Sequence, residues 1–333
     1  MKAWRVHELG EPERVLRFDE VPDPQPAPGS VLVRVRAVAL NFPDVLLCQG
    51  RYQDKPPLPF TPGLEVCGEV VATGAGSTWA PGASVYGAPG LPGGGLAEYV
   101  LLPEAETYPV PDGMPDTQAA GLYITYQTAY VGLHRRAALK SGETLLVHAG
   151  AGGVGSAAIQ VGRAAGARVI ATAGGPAKTA RCLQLGAHEA VDYNDQDVVT
   201  RIRELTSGRG ADVVFDPVGG DVFDASRRCV AFEGRLLVIG FAGGRIPQVA
   251  AGHVLVKNYS VVGVHWGLYR RHDPDYVRSV HDALARLYAQ GAIEPLVGLE
   301  LPLDRAPEAL RALADRATVG KVVLRPQPAP TAR

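Results

Sequence analysis

The segment Thr144–Gly166 constrains the fold of this chain more than any other part of the sequence. An apolar run, Thr144–Ala149, leads into a glycine-rich turn, Gly150-Ala-Gly152-Gly153-Val154-Gly155, and a stretch of small residues that favours a helix follows. A strand, a G-x-G-x-x-G turn and a helix in this order form a dinucleotide-binding unit. The first glycine permits the tight turn, the second lets the backbone approach a pyrophosphate, and the third lets the helix pack closely on the strand. We therefore predict that this turn binds a dinucleotide; the alternative is a tight turn without a ligand.

The charges that follow the turn indicate which dinucleotide fits. NAD sites usually place Asp or Glu about 20 residues into the unit, where it binds the ribose 2′-hydroxyl. No acidic residue occurs between Glu143 and Glu189, and the expected place reads Ala173-Gly-Gly-Pro-Ala-Lys178. A carboxylate there would repel a 2′-phosphate, whereas a lysine attracts it. The sequence therefore favours NADPH; the alternative for Lys178 is a solvated residue in the first turn of a helix.

From about Thr144 to Val264 the chain alternates between short apolar runs and helical patterns. Such alternation predicts an α/β fold with a doubly wound parallel sheet. The predicted strands are Leu145–Ala149, Arg168–Thr172, Glu189–Asp192, Asp212–Asp216, Arg235–Gly240 and Ser260–Val264. The predicted helices between them are Gly153–Ala165, Ala177–Leu185, Asp195–Thr206 and Gly220–Ala231.

The first 120 residues have a different pattern. Val31–Ala39 alternates apolar and charged residues with a period of two, which predicts a half-buried strand. Frequent Pro and Gly between such runs indicate a β-rich domain with many turns. After Val264 the pattern predicts a helix at Asp275–Gln290, followed by a strand, a helix and a strand. These last elements are Leu296–Leu301, Ala306–Ala314 and Gly320–Leu324.

The composition limits the classes of partner. The formal net charge is −1 over 333 residues, so bulk electrostatics indicates neither a nucleic-acid nor a membrane partner. The four cysteines, Cys48, Cys67, Cys182 and Cys229, are widely spaced and form no C-x-x-C pair. This usage is typical of a reducing compartment and predicts a cytoplasmic protein without a disulfide framework.

Several further motifs support a family resemblance that extends over nearly the whole chain. They are Asn41-Phe-Pro-Asp44, Gly50-Arg-Tyr52, Pro62-Gly-Leu-Glu-Val-Cys-Gly68, Gly94-Gly-Leu-Ala-Glu-Tyr99, Thr128-Ala-Tyr130, the glycine turn, Asp212-Val-Val-Phe-Asp-Pro-Val-Gly-Gly220 and Arg316-Ala-Thr. With these motifs the chain resembles the zinc-free NADPH:quinone oxidoreductases, the zeta-crystallin group of the medium-chain dehydrogenase/reductase superfamily. The resemblance implies a GroES-like catalytic domain over residues 1–121, a Rossmann NADPH-binding domain over 122–264, and a return to the catalytic domain over 265–333.

The expectation that no metal is bound comes from the residues themselves. Zinc alcohol dehydrogenases of this superfamily carry Gly-His-Glu where this chain has Gly63-Leu64-Glu65, and leucine cannot ligate zinc. The cysteine ligand expected near Asn41 is absent, and so are the four closely spaced cysteines of a structural zinc lobe. Without a Lewis acid to stabilise an alkoxide, reduction of an electron-poor acceptor is the simpler chemistry. Quinones and α,β-unsaturated carbonyls are such small-molecule acceptors.

The resemblance also implies a set of site residues. Asn41, Asp44 and Tyr52 would border the substrate cleft, where an amide and a phenol can stabilise negative charge that develops on a carbonyl. Tyr52 would either donate a proton or only line the pocket, and Asn41 would alternatively only tie down a turn.

Further residues are implied to bind NADPH. Thr128 and Tyr130 fall where the family touches the cofactor, and Lys178, Tyr193 and Arg316 fall on its 2′-phosphate contacts. Two loops after predicted strands should line the nicotinamide, because ligands collect at the carboxyl ends of parallel strands. The complete predicted cofactor set is Thr128, Tyr130, Gly150, Gly152, Gly153, Val154, Gly155, Lys178, Tyr193, Gly240, Phe241, Val264, His265, Trp266 and Arg316. His148 is interpreted as a hydrogen-bonded core histidine.

Three functions remain open at this point. The first is an NADPH-dependent quinone reductase with direct hydride transfer. The second is an NADPH-dependent reductase of enoyl thioesters or enals, for which the basic cluster Arg270-Arg271-His272 is the best hint. The third is an NADPH-binding, crystallin-like protein without turnover. The resemblance further implies a homodimer, and the apolar run Ser260–Val264 would offer an open sheet edge for pairing.

Overall fold

A computed structural model describes residues 1–326, which form two compact units. The β-rich unit contains Met1–Ile124 and residues 295–326, and the parallel-sheet unit is Thr125–Glu294. The first boundary lies close to the predicted one after residue 121. The second boundary follows Glu294, whereas the predicted one followed residue 264. Residues 265–294, which were predicted to belong to the catalytic domain, are therefore part of the parallel-sheet unit. Residues 327–333 of that segment lie outside the described residues.

The β-rich unit opens with seven strands and three short helices. The strands are β1 (Lys2–Val6), β2 (Leu16–Glu20), β3 (Ser30–Leu40), β4 (Val66–Thr73), β5 (Ser84–Gly87), β6 (Tyr99–Pro103) and β7 (Thr107–Pro109). The helices are α1 (Pro12–Val15), α2 (Phe42–Cys48) and α3 (Asp116–Ala120).

The parallel-sheet unit alternates strands and helices. Its strands are β8 (Thr144–Val147), β9 (Arg168–Ala173), β10 (Glu189–Asp192), β11 (Ala211–Asp216), β12 (Val230–Val238) and β13 (Ser260–Gly263). Its helices are α4 (Tyr123–Tyr130, which begins two residues before the boundary), α5 (Gly153–Ala164), α6 (Pro176–Gln184), α7 (Val198–Leu205), α8 (Gly220–Cys229), α9 (Ala251–Lys257), α10 (Tyr269–His272) and α11 (Pro274–Ala289). A π-helical segment, Val131–Arg136, continues α4.

The tail adds β14 (Val297–Pro302), α12 (Ala306–Ala314) and β15 (Lys321–Arg325) to the β-rich unit. The main sheet of this unit has the order β14-β15-β3-β4-β5-β7, and β6 also pairs with β3. In β3 the valines at 31, 33 and 35 are buried while Arg34 is exposed, which confirms the half-buried strand predicted from the period of two. Strand β15 pairs antiparallel with β3, with Val322 opposite Leu40. The last described strand therefore lies beside the strand that leads into Asn41.

The other sheet has the order β10-β9-β8-β11-β12-β13, and every neighbouring pair is parallel. This order confirms the predicted doubly wound sheet. The chain starts at β8, winds outward to β10, and then returns past β8 to β11. The switch point lies between β8 and β11, where the turns after both strands leave the same edge.

Three of the helices described for this unit, α4, α9 and α10, are absent from the prediction. Helix α9 has seven residues and none of them is buried; its large apolar residues form one contiguous run, Val254–Val256, and do not have the spacing of a helical stripe. Strand β12 also begins earlier than predicted, at Val230 and not at Arg235, because Val230 pairs with Ala211 before a register shift.

Contacts of the segment after β13 explain the late second boundary. Arg135 of the π-helical segment lies over the ring of Tyr276 at 4.9 Å and forms an ion pair with Asp273 at 3.7 Å. Gln160 of α5 binds Glu294 twice: its Nε2 donates to the carbonyl at 2.9 Å and its Oε1 accepts from the backbone N–H at 2.5 Å. The segment from α10 to Glu294 is thus fixed to the parallel-sheet unit.

All four cysteines are free and buried. Burial raises the pKa of the Cys48 and Cys182 thiols to about 12 and that of Cys229 to about 11. They are therefore packing residues. Among residues 1–326, no helix is long and apolar enough to cross a membrane.

Candidate functional site

The glycine turn lies between β8 and α5 at the switch point of the parallel sheet. A Cβ atom at Gly155 would lie 2.1 Å from the Ala149 carbonyl oxygen, so only glycine lets α5 approach the end of β8 this closely. A Cβ at Gly150 would lie 2.8 Å from the Sγ of Cys182 on α6. At Gly152 the nearest atom would be 3.3 Å away, so this position has more open space in front of its backbone. The close packing predicted for Gly155 agrees with this geometry, whereas the approach of the Gly152 backbone to a pyrophosphate stays a prediction.

The first turn of α5 is suited to an anion. Gly152 caps the helix without a side-chain hydrogen bond, and the first turn contains no acidic residue. Gly152, Gly153 and Val154 are only partly buried. The first N–H groups of a helix have no intrahelical partner and carry the positive end of the helix dipole. This turn can therefore hold the phosphates of a dinucleotide.

Two of the three residues predicted for the 2′-phosphate lie near the turn after β9: Lys178 in the helix that follows it, and Tyr193 directly after the neighbouring strand β10. Lys178 is half-buried in the first turn of α6, and Tyr193 is 54 % exposed, with its phenol oxygen 2.7 Å from where a Cβ of Gly174 would lie. The sequence pattern did not reveal Asp192, which ends β10. Its Oδ1 accepts hydrogen bonds from the backbone N–H groups of Gly175 at 2.9 Å and Asn194 at 3.0 Å. A carboxylate therefore does lie at this turn, where it holds the backbone of Gly175.

Two further loops leave the same edge of the sheet. The loop with Gly240 and Phe241 is held to the turn after β11, because Ala242 and Gly243 donate their N–H groups to Pro217 and Val218 at 3.1 and 2.8 Å. Val264 continues the β13 ladder by donating to Val238 at 3.0 Å, Trp266 is buried, and His265 is exposed. The predicted residues of both loops therefore lie at the carboxyl edge that carries the glycine turn.

Tyr130 lies elsewhere in this unit. Its ring packs on His134 with 4.2 Å between centroids. It lines a cavity of about 230 Å³ together with Ala164 and Ala165, at the far end of α5. The 12 residues of α5 span about 18 Å, so the structure does not bring Tyr130 to the glycine turn. Thr128, on the same helix, is buried.

His148 directly follows β8 and is confirmed as a core histidine. It is buried, its Nδ1 lies 2.9 Å from the Thr172 hydroxyl, and its Nε2 lies 2.8 Å from the Ser226 hydroxyl. Ser226 donates its own proton to the Val222 carbonyl, so it accepts from Nε2–H of a neutral imidazole. Burial lowers the pKa of His148, which agrees with this neutral form.

In the β-rich unit, Asn41 and Asp44 begin helix α2. The carboxylate of Asp44 is fully buried and accepts two backbone hydrogen bonds, from Asn41 N–H at 2.8 Å and Gly63 N–H at 2.9 Å. Asp44 therefore ties the start of α2 to the loop that precedes β4. A side chain so enclosed acts on its neighbours and does not present its oxygens to a ligand.

The side chain of Asn41 belongs to a buried polar group that the sequence pattern did not reveal. Its Nδ2 donates to Glu65 Oε1 at 2.9 Å, and its Oδ1 accepts from Lys321 Nζ at 2.7 Å. Lys321 also pairs with Glu65 at 2.7 Å, and the other oxygen of Glu65 accepts from the N–H of Ile124 at 2.7 Å. The only local signal was a lysine placed directly before the apolar run Val322–Leu324.

The remaining predicted residues belong to the same unit. Tyr52 is half-buried and packs against the apolar core that includes Val45 and Leu47. Arg316 lies in the turn after α12, with a φ of 56° and its N–H donated to the Leu313 carbonyl at 3.2 Å. In the part of the chain that the structure describes, no three His, Cys, Asp or Glu side chains are arranged to hold a metal ion.

Asp44 gives a testable dependence of stability on pH. Burial raises its pKa from 3.8 to about 6, against the opposing effect of its two backbone hydrogen bonds and of Lys321, while Glu65 raises it further. The folded chain thus binds this proton more tightly than the unfolded chain does. This proton binding contributes roughly 3 kcal/mol to the free energy of unfolding. The contribution is fully present below the unfolded pKa and is lost as the pH rises through about 6.

We therefore expect the free energy of unfolding of wild type, minus that of Asp44→Asn, to fall between pH 4 and pH 6.5. Urea denaturation at closely spaced pH values measures this difference. Asp197→Asn is the control: the Thr200 hydrogen bonds lower the pKa of Asp197, so the corresponding difference should stay nearly level over this range and decrease only as the pH falls below about 4. Parallel curves for wild type and Asp44→Asn would contradict the raised pKa.

Comparison with protein families agrees with the two units. The model described as "Alcohol dehydrogenase GroES-like domain" matches residues 27–112, within the β-rich unit. The model described as "Zinc-binding dehydrogenase" matches residues 153–286, within the parallel-sheet unit.

Known relatives extend the match to nearly the whole chain. The "Quinone oxidoreductase-like protein 2 homolog" of Nematostella vectensis is 38 % identical over 326 residues, which cover 97 % of this chain and 88 % of the relative. The quinone oxidoreductase of Thermus thermophilus, also solved as an NADPH complex, is 36 % identical with a TM-score of 0.85, covering 98 % of this chain and 100 % of that one. The Escherichia coli quinone oxidoreductase complexed with NADPH is 29 % identical with a TM-score of 0.91, at the same coverage of both chains. This chain therefore belongs to the medium-chain dehydrogenase/reductase superfamily, in which the quinone oxidoreductases are among its relatives.

Proposed function

We propose that this chain is an NADPH-dependent oxidoreductase that reduces quinones by direct hydride transfer and needs no metal ion. The observation that carries the proposal is the acid-free, uncapped start of α5 at the switch point of the sheet, beside the loops at Gly240 and Val264. The relatives solved with NADPH support the same cofactor here. The names of the relatives support a quinone acceptor.

The proposed chemistry makes modest demands on the side chains. When bound, NADPH supplies a hydride. Reduction of a quinone leaves negative charge on an oxygen, and a nearby donor stabilises that charge. We propose Tyr52 as this donor or as a wall of the pocket, with solvent as the alternative proton source. Asn41 and Asp44 are proposed as positioning residues, because their polar atoms are already bound within the β-rich unit.

The proposal of a metal-free reaction rests on the residues around Glu65. Leu64 occupies the place of a histidine ligand and packs against the apolar core of the unit. Both oxygens of Glu65 accept hydrogen bonds from protein groups, and its charge is balanced by Lys321. A catalytic zinc ion requires three protein ligands. The residues at this place offer no such set.

The acceptor is tested with a panel of electron-poor substrates. With NADPH, we expect higher kcat/KM for 1,2- and 1,4-quinones than for enals and crotonyl thioesters, because a quinone carries two electron-withdrawing carbonyls. NADPH oxidation followed by absorbance measures each rate. Preference for the thioester would favour an enoyl reductase, for which the partly exposed basic residues Arg270, Arg271 and His272 are the supporting feature. NADPH binding without turnover of any acceptor would instead favour a non-catalytic role.

The proposed 2′-phosphate contacts predict a cofactor preference. Lys178→Ala and Arg316→Ala should each raise the Kd of NADPH by roughly tenfold or more, since a hydrogen bond to a charged group contributes about 1.5–3 kcal/mol. The Kd of NADH should remain nearly unchanged, and the effect should shrink at high salt.

Fluorescence titration of both cofactors measures the two constants. Arg181→Ala is the matched control, because Arg181 is an exposed cation in the last turn of the same helix as Lys178. A wild-type preference for NADH would refute the assignment of the phosphate site. It would point to Asp192 as the residue that decides the cofactor.

We also propose a homodimer that pairs through the β13 edge of the parallel sheet. Exposed apolar side chains lie on α9 and on the loop before it: Leu255 is 80 % exposed, Val256 84 % and Ile246 68 %. Such a group beside an edge strand favours association with a second copy. Leu255→Glu should yield a monomer in light scattering at micromolar concentration, whereas Leu183→Glu, at an exposed position on α6, should not. A monomeric wild type would end this proposal.

A further inference from the structure

We infer that Lys321 and Glu65 form a buried ion pair that positions Asn41 and the start of α4 for the proposed reduction. The inference rests on the proposed function. It adds two positioning residues, which we call the Lys321–Glu65 pair. Neither side chain has room to touch a ligand, since Glu65 has no exposed surface and Lys321 has 3 %.

The ammonium group of Lys321 is fully occupied. Its three N–H donors meet three acceptors at 2.7 Å: the carbonyl of Leu40, the Oδ1 of Asn41 and the Oε1 of Glu65. An ammonium with no remaining donor cannot pass a proton to a substrate without breaking this arrangement. Lys321 can therefore influence the reaction only through the groups that it binds.

The pair determines which way the Asn41 amide points. Lys321 donates to one end of the amide, and Glu65 accepts from the other at 2.9 Å. A flipped amide would place its N–H₂ against the ammonium and its oxygen against the carboxylate, which are both repulsive. The ion pair thus selects one orientation at the position where the chain enters α2.

Glu65 carries the same constraint to a second segment. Its Oε2 accepts the N–H of Ile124 at 2.7 Å, in the first turn of α4. The N–H groups of a first helical turn otherwise lack a partner, and a carboxylate there also interacts favourably with the helix dipole. Through one carboxylate, the start of α4 and the Asn41 amide are held in a fixed relation within the β-rich unit.

The energetics favour a positioning role over a purely stabilising one. Transfer of two charges out of water opposes folding, and an apolar pair of similar volume is often as stable or more stable. Removal of one partner destabilises the fold much more, because the charge of the other partner then remains buried without a counter-charge. A charged pair at this depth contributes orientation, which an apolar pair would not provide.

Removal of the cation should make catalysis depend on the protonation of Glu65. In Lys321→Met, the buried carboxylate loses its counter-charge, and its pKa should rise. The titratable groups that face it are Lys321 on β15 and Asp44 on α2; Asn41, Leu40 and Ile124 contribute amide or backbone groups. At neutral pH the protonated carboxyl would hold the Asn41 amide less well, and at higher pH the ionised form would restore it.

The experiment compares Lys321→Met, Glu65→Gln and the double variant with wild type, using a 1,4-quinone and saturating NADPH. For Lys321→Met we expect kcat at pH 7 to fall by roughly 10- to 100-fold, as for a misplaced site group, and to recover as the pH rises. The double variant should be slow without this pH dependence, because no carboxyl remains at position 65. The Kd of NADPH should stay near the wild-type value in every variant.

Arg235→Met is the matched control. Arg235 forms a two-bond ion pair with Glu143, at 2.9 and 2.7 Å, in the parallel-sheet unit. Its loss should lower the thermal midpoint while leaving the pH profile of kcat unchanged. If Lys321→Met does not fold, the double variant removes both charges together and Glu65→Gln removes one partner, so the comparison still stands.

Hydrogen exchange gives a readout that is independent of turnover. In the free protein, the amide of Ile124 should exchange up to roughly tenfold faster in Lys321→Met at pH 7, because its hydrogen-bond acceptor loses its charge. Wild-type exchange at Ile124 together with a wild-type pH profile in Lys321→Met would overturn the inference. A wild type that reduces no quinone would refute the proposed function alone, and the exchange measurement would still decide the role of the pair.

Discussion

The closeness of α5 to the end of β8 is the constraint on which the nucleotide-binding half depends. A single methyl group at Gly155 would meet the Ala149 carbonyl at 2.1 Å, so the helix can start where it does only with glycine there. That start leaves the first N–H groups of α5 at the switch point of the sheet, beside the loops after β11, β12 and β13. One steric condition therefore produces both the packing of the helix and the surface suited to a phosphate.

In the β-rich half, buried charge holds together the region around Asn41. Lys321, Glu65 and Asp44 are all buried, and every charged atom among them has a protein partner at 2.7 to 2.9 Å. These bonds join α2, the loop before β4, the start of α4 and strand β15. A zinc enzyme would fix the same region with metal bonds. Here hydrogen bonds and one ion pair provide the fixed geometry.

Sequence patterns were sufficient to predict the features that depend only on residues close together in the chain. The glycine turn and the alternation in β3 each depend on neighbouring residues, and the structure confirms both. Helix α9 was missed because its large apolar residues, Val254–Val256, are contiguous and lack helical spacing. Asp192 was missed because its contact with Gly175 joins two strands that are adjacent only in the folded sheet. Lys321 and Asn41 are 280 positions apart, and no period in the sequence encodes their meeting.

Helix α5 also connects two places that the sequence keeps far apart. Its first residue stands at the glycine turn, and Gln160, two turns later, holds both backbone groups of Glu294, whose carbonyl also accepts from the Tyr126 hydroxyl at 3.1 Å. Glu294 is the last residue of the parallel-sheet unit. A helix is stiff along its axis, so a shift of α5 toward or away from a bound phosphate moves residue 294 with it. The exit of the chain from this unit is thus mechanically linked to the place where a cofactor would be held.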